Sequence, residues 1–152
     1  MLEDIVHYLI KNNISISTME SCTGGLLASL ITDIPDASTI LKFSAVTYST
    51  EYKIKMGVSK EVIDRYTVYS KETAIEMAKT IAEFTGSDLG VGITGRLTSN
   101  LDEEKGAHLC LYDRRYDKIY TTHIVITKTT RKENKLEVID AFIELFNSTI
   151  KA

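Results

Sequence analysis

The 152-residue chain has no tryptophan, one proline, two cysteines and three histidines, and each scarcity removes a class of function. Cys22 and Cys110 are too few for a disulfide framework, so a reducing, cytoplasmic setting is expected. His7, His108 and His123 fall in no metal-ligand spacing, and neither a metal nor a cofactor is expected. No apolar run approaches the roughly 18 residues needed to span a bilayer. The start Met1-Leu2-Glu3-Asp4 also lacks the basic beginning of a secretory signal, so no membrane partner is expected. Positive charge is not in excess either: 18 Lys and Arg against 21 Asp and Glu give a net charge of −3, which argues against a general nucleic-acid binder. A local basic patch of Lys128, Arg131, Lys132 and Lys135 stays open, beside the alternative of a solvated helix end.

What the chain does have is 43% hydrophobic residues arranged in helix and strand periods. Leu2, Ile5, Val6, Leu9 and Ile10 predict a helix ended by Asn12-Asn13, and a strand starts from Ile14. A second helix is expected from about Thr23 to Asp33, stopped by Pro35. Thr39 to Tyr48 reads as a strand, Thr50 to Met56 as a short helix, and Ser59 and Ser70 as caps of two more. Asp88 to Thr94 is a small-residue strand whose glycines predict close approach of a backbone or a ligand. A polar loop from Arg96 to Lys105 precedes strands at Ala107 to Tyr112 and Lys118 to Thr127. Thr130 with Glu133 forms a capping-box pattern for a last helix with Leu136, Ile139, Ile143 and Phe146 inward. This order predicts one domain, residues 1–152, folded as a three-layer α/β/α sandwich with a mixed, partly parallel sheet.

Two strand-to-helix corners carry chemistry. The first, Thr18-Met19-Glu20-Ser21-Cys22-Thr23-Gly24-Gly25, sets a hydroxyl and a thiol at a glycine turn, expected to lie at a helix N-terminus whose free N–H groups favour an oxyanion or phosphate. The second is Val46-Thr47-Tyr48-Ser49-Thr50-Glu51-Tyr52-Lys53. In a parallel sheet both corners share the carboxyl edge, so Lys53 can reach Ser21. A lysine desolvated there would lose its proton readily enough to serve as base for Ser21, with Tyr48 relaying or orienting that proton. The alternative is a solvated Lys53 and a core Tyr48. Cys22 is a rival nucleophile or a small buried side chain. A Ser-His-Asp triad has no support from the positions of the histidines.

These residues resemble the C-terminal domain family of CinA, which includes stand-alone nicotinamide mononucleotide deamidases. The likeness rests on Met19-Glu20-Ser21-Cys22-Thr23-Gly24-Gly25, on Val46-Thr47-Tyr48-Ser49-Thr50-Glu51-Tyr52-Lys53 and on the stretch Tyr69 to Ala78. It implies hydrolysis of the carboxamide of nicotinamide mononucleotide with Ser21, Tyr48 and Lys53 as catalytic residues. It also implies that Glu20, Cys22, Thr23, Gly24, Gly25, Thr94, Gly95 and Arg131 line a nucleotide substrate, with Arg131 on phosphate, as a structural cap or simply exposed. The chain departs from the family where a glycine-rich stretch would follow Thr94-Gly95, having Arg96-Leu97-Thr98 instead. A catalytically silent nucleotide-binding domain and an amidase for another small amide are therefore carried as alternatives. The larger N-terminal domain of full-length CinA proteins is not expected here. A homodimer is allowed by the likeness and by strand tyrosines Tyr112, Tyr116 and Tyr120, taken as exposed.

Overall fold

A computed structural model describes residues 1–98 and 106–152. Five strands form one mixed sheet in the order β2-β1-β3-β4-β5: β1 Ile16–Glu20, β2 Leu41–Val46, β3 Leu89–Arg96, β4 Gly106–Asp113 and β5 Lys118–Ile124. β1 pairs in parallel with both β2 and β3, whereas β4 runs antiparallel to both β3 and β5. The carboxyl ends of β1, β2, β3 and β5 therefore all reach one edge, where the functional corners collect.

The helices are α1 Leu2–Asn12, α2 Leu26–Thr32, α3 Thr50–Lys55, α4 Lys60–Tyr66, α5 Lys71–Thr85 and α6 Arg131–Ser148. One face of the sheet buries Ile16, Val91, Leu109 and Leu111 against α1, α2 and α6 through Ile5, Leu9, Leu27, Val138 and Phe142. On the other, Met19 packs with Ile63, Met77 and Ile81, and Cys110 packs with Ala74, Ala78 and Ala82 of α5. The expected three-layer sandwich is thus formed. Burial of these side chains removes apolar area from water on both faces of the sheet, the main favourable contribution to such a fold.

Gly90 and Gly92 account for the small-residue strand. A β-carbon at either would collide with the carbonyls of Ala78 and Ala74, so a backbone, that of α5, is what comes close. Side-chain caps begin four helices, Ser59, Ser70 and Thr130 as expected and Ser49 besides: Ser49, Ser59, Ser70 and Thr130 accept hydrogen bonds from the amides of Tyr52, Val62, Thr73 and Glu133, each worth about 1 kcal/mol.

Several expectations change. α2 starts at Leu26 rather than Thr23, because Gly24 and Gly25 take φ of 61° and 94°, outside helical space. The strand expected from Thr39 begins at Leu41, after a 3-10 turn at Ala37–Thr39. Leu136 is 48% exposed, and α6 buries Asn134, Val138, Ile139, Phe142 and Phe146. Tyr112 is buried, because β4 is an interior strand covered on both faces, and its hydroxyl donates to Asp117. Of the three tyrosines offered for a dimer, only Tyr116 is largely exposed; Tyr120 packs partly against the core. Leu97, placed by sequence in a polar loop, is a core residue. The rest of that loop, residues 99–105, lies outside the described residues. Among the described residues no helix is long and apolar enough to cross a membrane, and no His/Cys/Asp/Glu group could hold a metal ion.

Candidate active site

Ser21 is the first residue beyond β1, and its amide donates to the Ile93 carbonyl of β3 at 2.9 Å. Beside it, the Thr47 amide donates to the Glu20 carbonyl at 2.9 Å, which ties the end of β2 to the end of β1. From there Ser49 caps α3, and the helix turns Lys53 back under the sheet edge. Two corners far apart in sequence thereby meet. Lys53 Nζ stands 3.0 Å from Ser21 Oγ, and its other hydrogen bonds go to the carbonyls of Thr47 at 2.8 Å and Tyr48 at 3.5 Å.

Lys53 is 2% exposed and is among the largest fully buried side chains of the protein. Among the described residues no carboxylate forms an ion pair with it. Loss of hydration holds its pKa below the ordinary value of 10.5, against a smaller opposing effect of Cys22. As an ammonium it gives all three N–H bonds to Ser21 and the two carbonyls. As a neutral amine it can keep the two carbonyl contacts and turn its lone pair to the Ser21 hydroxyl, which then becomes the donor. Ser21 itself is 6% exposed, so its hydroxyl lies just below the surface.

Cys22 does not compete. Burial pushes its thiol up to about 12, so it stays protonated at neutral pH and is a poor nucleophile. Glu20 lies beneath the cleft, fully buried. Its carboxylate accepts from Thr23 Oγ1 at 2.6 Å, the amides of Leu27 and Ala28 at 3.0 and 2.9 Å, and Thr18 Oγ1 at 3.3 Å. The start of α2 is therefore occupied by the protein's own carboxylate rather than left open to an anion, which corrects both the expected helix-end anion site and the placing of Glu20 against a ligand. What remains at this corner is the Cys22 to Gly25 turn. Among the described residues the amides of Thr23 and Gly25 have no hydrogen-bond acceptor, while that of Cys22 turns to its own thiol.

Thr94 and Gly95, the other residues expected along a ligand, are engaged within the protein. Thr94 Oγ1 donates to the Val68 carbonyl at 2.7 Å, and Gly95 lies opposite Ala107 in the β3–β4 ladder. Arg96, expected in a solvent-facing loop, ends β3 with its guanidinium 4.6 Å from the centre of the Tyr69 ring.

Tyr48 differs from its expected relay role. Its ring is 61% exposed, and its hydroxyl accepts from Arg131 Nη2 at 2.8 Å instead of meeting Ser21 or Lys53. Arg131 arrives because β5 delivers the chain to the same sheet edge and α6 starts there. With Cys22, Tyr48, Lys132 and Lys135 it lines a cavity of about 310 Å³. Lys132 and Lys135 also line a neighbouring cavity of about 350 Å³ over the Thr23 to Leu26 turn. Their approach follows from the helix repeat, since positions 131, 132 and 135 share one face. The basic spacing was visible in the sequence, but not that it faced the glycine turn.

Asn134 was missed altogether. It is almost fully buried; its side-chain amide donates to the carbonyls of Leu97 at 2.8 Å and Lys128 at 3.2 Å, and its oxygen accepts from the Lys128 amide at 3.1 Å. This one side chain ties the exit of β3 to the approach into α6 and so fixes where Arg131 stands.

Fold and site together define a three-layer α/β domain with a buried serine–lysine pair at the carboxyl edge of its sheet. The CinA C-terminal domain family matches residues 1–150, and the chain belongs to that family. A putative competence-damage inducible protein of Clostridium botulinum strain Loch Maree is 40% identical over 134 residues, covering 87% of this chain and 31% of the relative. A CinA-like protein of Kosmotoga olearia is 46% identical over 94 residues, covering 61% of this chain and 23% of that one. The chain thus spans less than a third of the length of these curated relatives. Among solved structures, a CinA superfamily protein of Escherichia coli superposes with a TM-score of 0.85 at 26% identity, covering 95% of this chain and 86% of the other. The competence damage-inducible protein A of Klebsiella pneumoniae shares the fold with a TM-score of 0.89 at 19% identity, over 97% and 92% of the two chains.

Proposed function

We propose that this domain is an amidohydrolase that converts the carboxamide of nicotinamide mononucleotide to the carboxylate, releasing ammonia. The observation that carries this reading is the 3.0 Å contact between Lys53 Nζ and Ser21 Oγ, where the amine is buried from water and, among the described residues, meets no carboxylate. Neutral Lys53 takes the proton of Ser21 as its oxygen attacks the amide carbon. The carbonyl electrons move to the oxygen, which the free amides of Thr23 and Gly25 would stabilise; such a donor is typically worth about 3–4 kcal/mol. As the tetrahedral intermediate collapses, the lysine ammonium returns the proton to the departing nitrogen and ammonia leaves. Water, deprotonated by the same amine, then attacks the acyl-serine and frees nicotinate mononucleotide and Ser21.

Tyr48 and Arg131 serve the substrate rather than the proton in this scheme. Their hydrogen-bonded pair borders the cavity that Cys22, the neighbour of Ser21, also lines, with the exposed ring available for stacking on a pyridine and the guanidinium for the nucleotide's phosphate. Ammonia release from nicotinamide mononucleotide by purified protein tests the proposal. Turnover supports it; no release from this nucleotide by folded protein contradicts it. Release from other small amides alone would shift the substrate, and binding without release would identify a nucleotide-binding domain.

A further inference from the structure

The cleft does not end at the hollow beside Tyr48. Lys132 and Lys135 stand between that hollow and the second cavity of about 350 Å³, lining both. The floor of the second cavity is the backbone of the Gly24-Gly25 turn, and its apolar walls are Leu26 and Leu136. Lys135 Nζ lies 3.6 Å from where a β-carbon of Gly24 would be, so an anion held by this ammonium would also rest against the turn.

Two features separate this region from ordinary helix surface. First, among the described residues none of Arg131, Lys132 and Lys135 is paired with a carboxylate, although Lys128 on the approach to the same helix pairs with Glu137. Three uncompensated cations around a concave surface favour a ligand of more than one negative charge. Second, Leu136 sits off the buried stripe of α6 and spends its apolar surface on the cavity instead of the core. A hollow with an apolar wall on one side and fixed cations on the other has the composition of a site for a ring attached to phosphate.

We infer that the cleft binds a dinucleotide in two compartments: bridging phosphates lie across Lys132 and Lys135, one nucleoside beside Ser21 and the other against Leu26 and Leu136. The inference rests on the amidase reading only for which end faces Ser21. The second compartment stands on its own lining.

Calorimetric titration of the Ser21→Ala protein with nicotinamide adenine dinucleotide, nicotinamide mononucleotide and ADP tests it. ADP carries no carboxamide, so it probes the second compartment apart from the amidase reading. The dinucleotide should bind at least about tenfold more tightly than the mononucleotide, and ADP should bind measurably. Joint Lys132→Gln and Lys135→Gln substitution should weaken ADP and the dinucleotide by at least about tenfold, the loss expected for charge-assisted contacts. Leu136→Glu, at an exposed position that does not support the core, should move the dinucleotide-to-mononucleotide affinity ratio towards one. Equal affinity for mononucleotide and dinucleotide, or no ADP binding, overturns the inference. ADP binding in a protein that releases no ammonia from any nicotinamide compound would sink the amidase reading and keep this one. Ammonia release without ADP binding would do the reverse.

Discussion

Lys53 and Lys135 both approach the Ser21 to Gly25 corner, yet Lys53 is 2% exposed and, among the described residues, hydrogen-bonds a hydroxyl and two carbonyls, while Lys135 stands partly exposed over a glycine turn. Burial suits the first to the proposed role of base, because removing water disfavours its charged form. Contact with solvent suits the second to holding an anion, in an interaction subject to salt screening. One amino-acid type is thus proposed for two roles, and the division follows its hydration. The buried half of the cleft is where bonds are proposed to break, and the open half is where the ligand is proposed to be recognised.

Substitutions in the two halves should therefore fail differently. Ser21→Ala should show the largest effect, lowering the proposed turnover by about 10⁴-fold or more, since the covalent route is lost; Lys53→Met should cost about 10²–10⁴-fold, the range for a general base. Comparable turnover in either variant would erase the distinction between the halves. Arg131→Ala should raise KM for nicotinamide mononucleotide about 10- to 100-fold with a smaller change in kcat, as removal of a charged hydrogen bond to ligand predicts. A fall in kcat at unchanged KM would move Arg131 into the chemical half.

Asn134→Leu should lower stability by about 1–3 kcal/mol, because the Leu97 carbonyl and the Lys128 amide lose their buried partner. It should also raise KM by displacing Arg131, and unfolding by denaturant together with steady-state kinetics reads both. The most diagnostic effect on stability belongs to Lys53→Met. Because burial lowers the Lys53 pKa, the unfolded chain holds that proton more tightly than the folded one. The resulting penalty is present in full below the folded-state pKa and fades as pH rises towards 10.5. The methionine variant should then be more stable than the parent at neutral pH, by about 1–4 kcal/mol if it follows other buried charges replaced by apolar groups. Its advantage should shrink in alkaline solution. A less stable variant at every pH would mean that the lysine supports the fold as well.

The contrast also separates what was readable in the sequence from what was not. Ser21 and Lys53 each belong to a corner where a strand gives way to helix residues, and parallel strands bring such corners to one edge, so their meeting followed from pattern and topology. The cap of α2 did not. Glu20 reads as one of the residues lining a ligand, and the positive φ of Gly24 and Gly25 delays the helix enough to fold its first amides onto that carboxylate. Tyr48 was placed at the correct corner but given the wrong partner, because Arg131 lies 83 residues away and reaches it only through the return of β5. Tyr112 and Leu136 were misjudged for a shared reason: periodicity marks a face as apolar but does not say which faces a neighbour covers. Asn134, a polar residue inside a helix, gave no signal, since its partners are backbone groups supplied by two loops.

The central claim is that a neutral Lys53 activates Ser21. The direct measurement is kcat/KM for ammonia release from nicotinamide mononucleotide as a function of pH, for the parent protein and for Lys53→Arg, whose guanidinium stays protonated throughout. The parent should gain about tenfold per pH unit until a plateau below pH 10.5, as the amine loses its proton, and the arginine variant should show no such rise and little activity. A parent profile that is flat, or an arginine variant that matches it, would contradict the account.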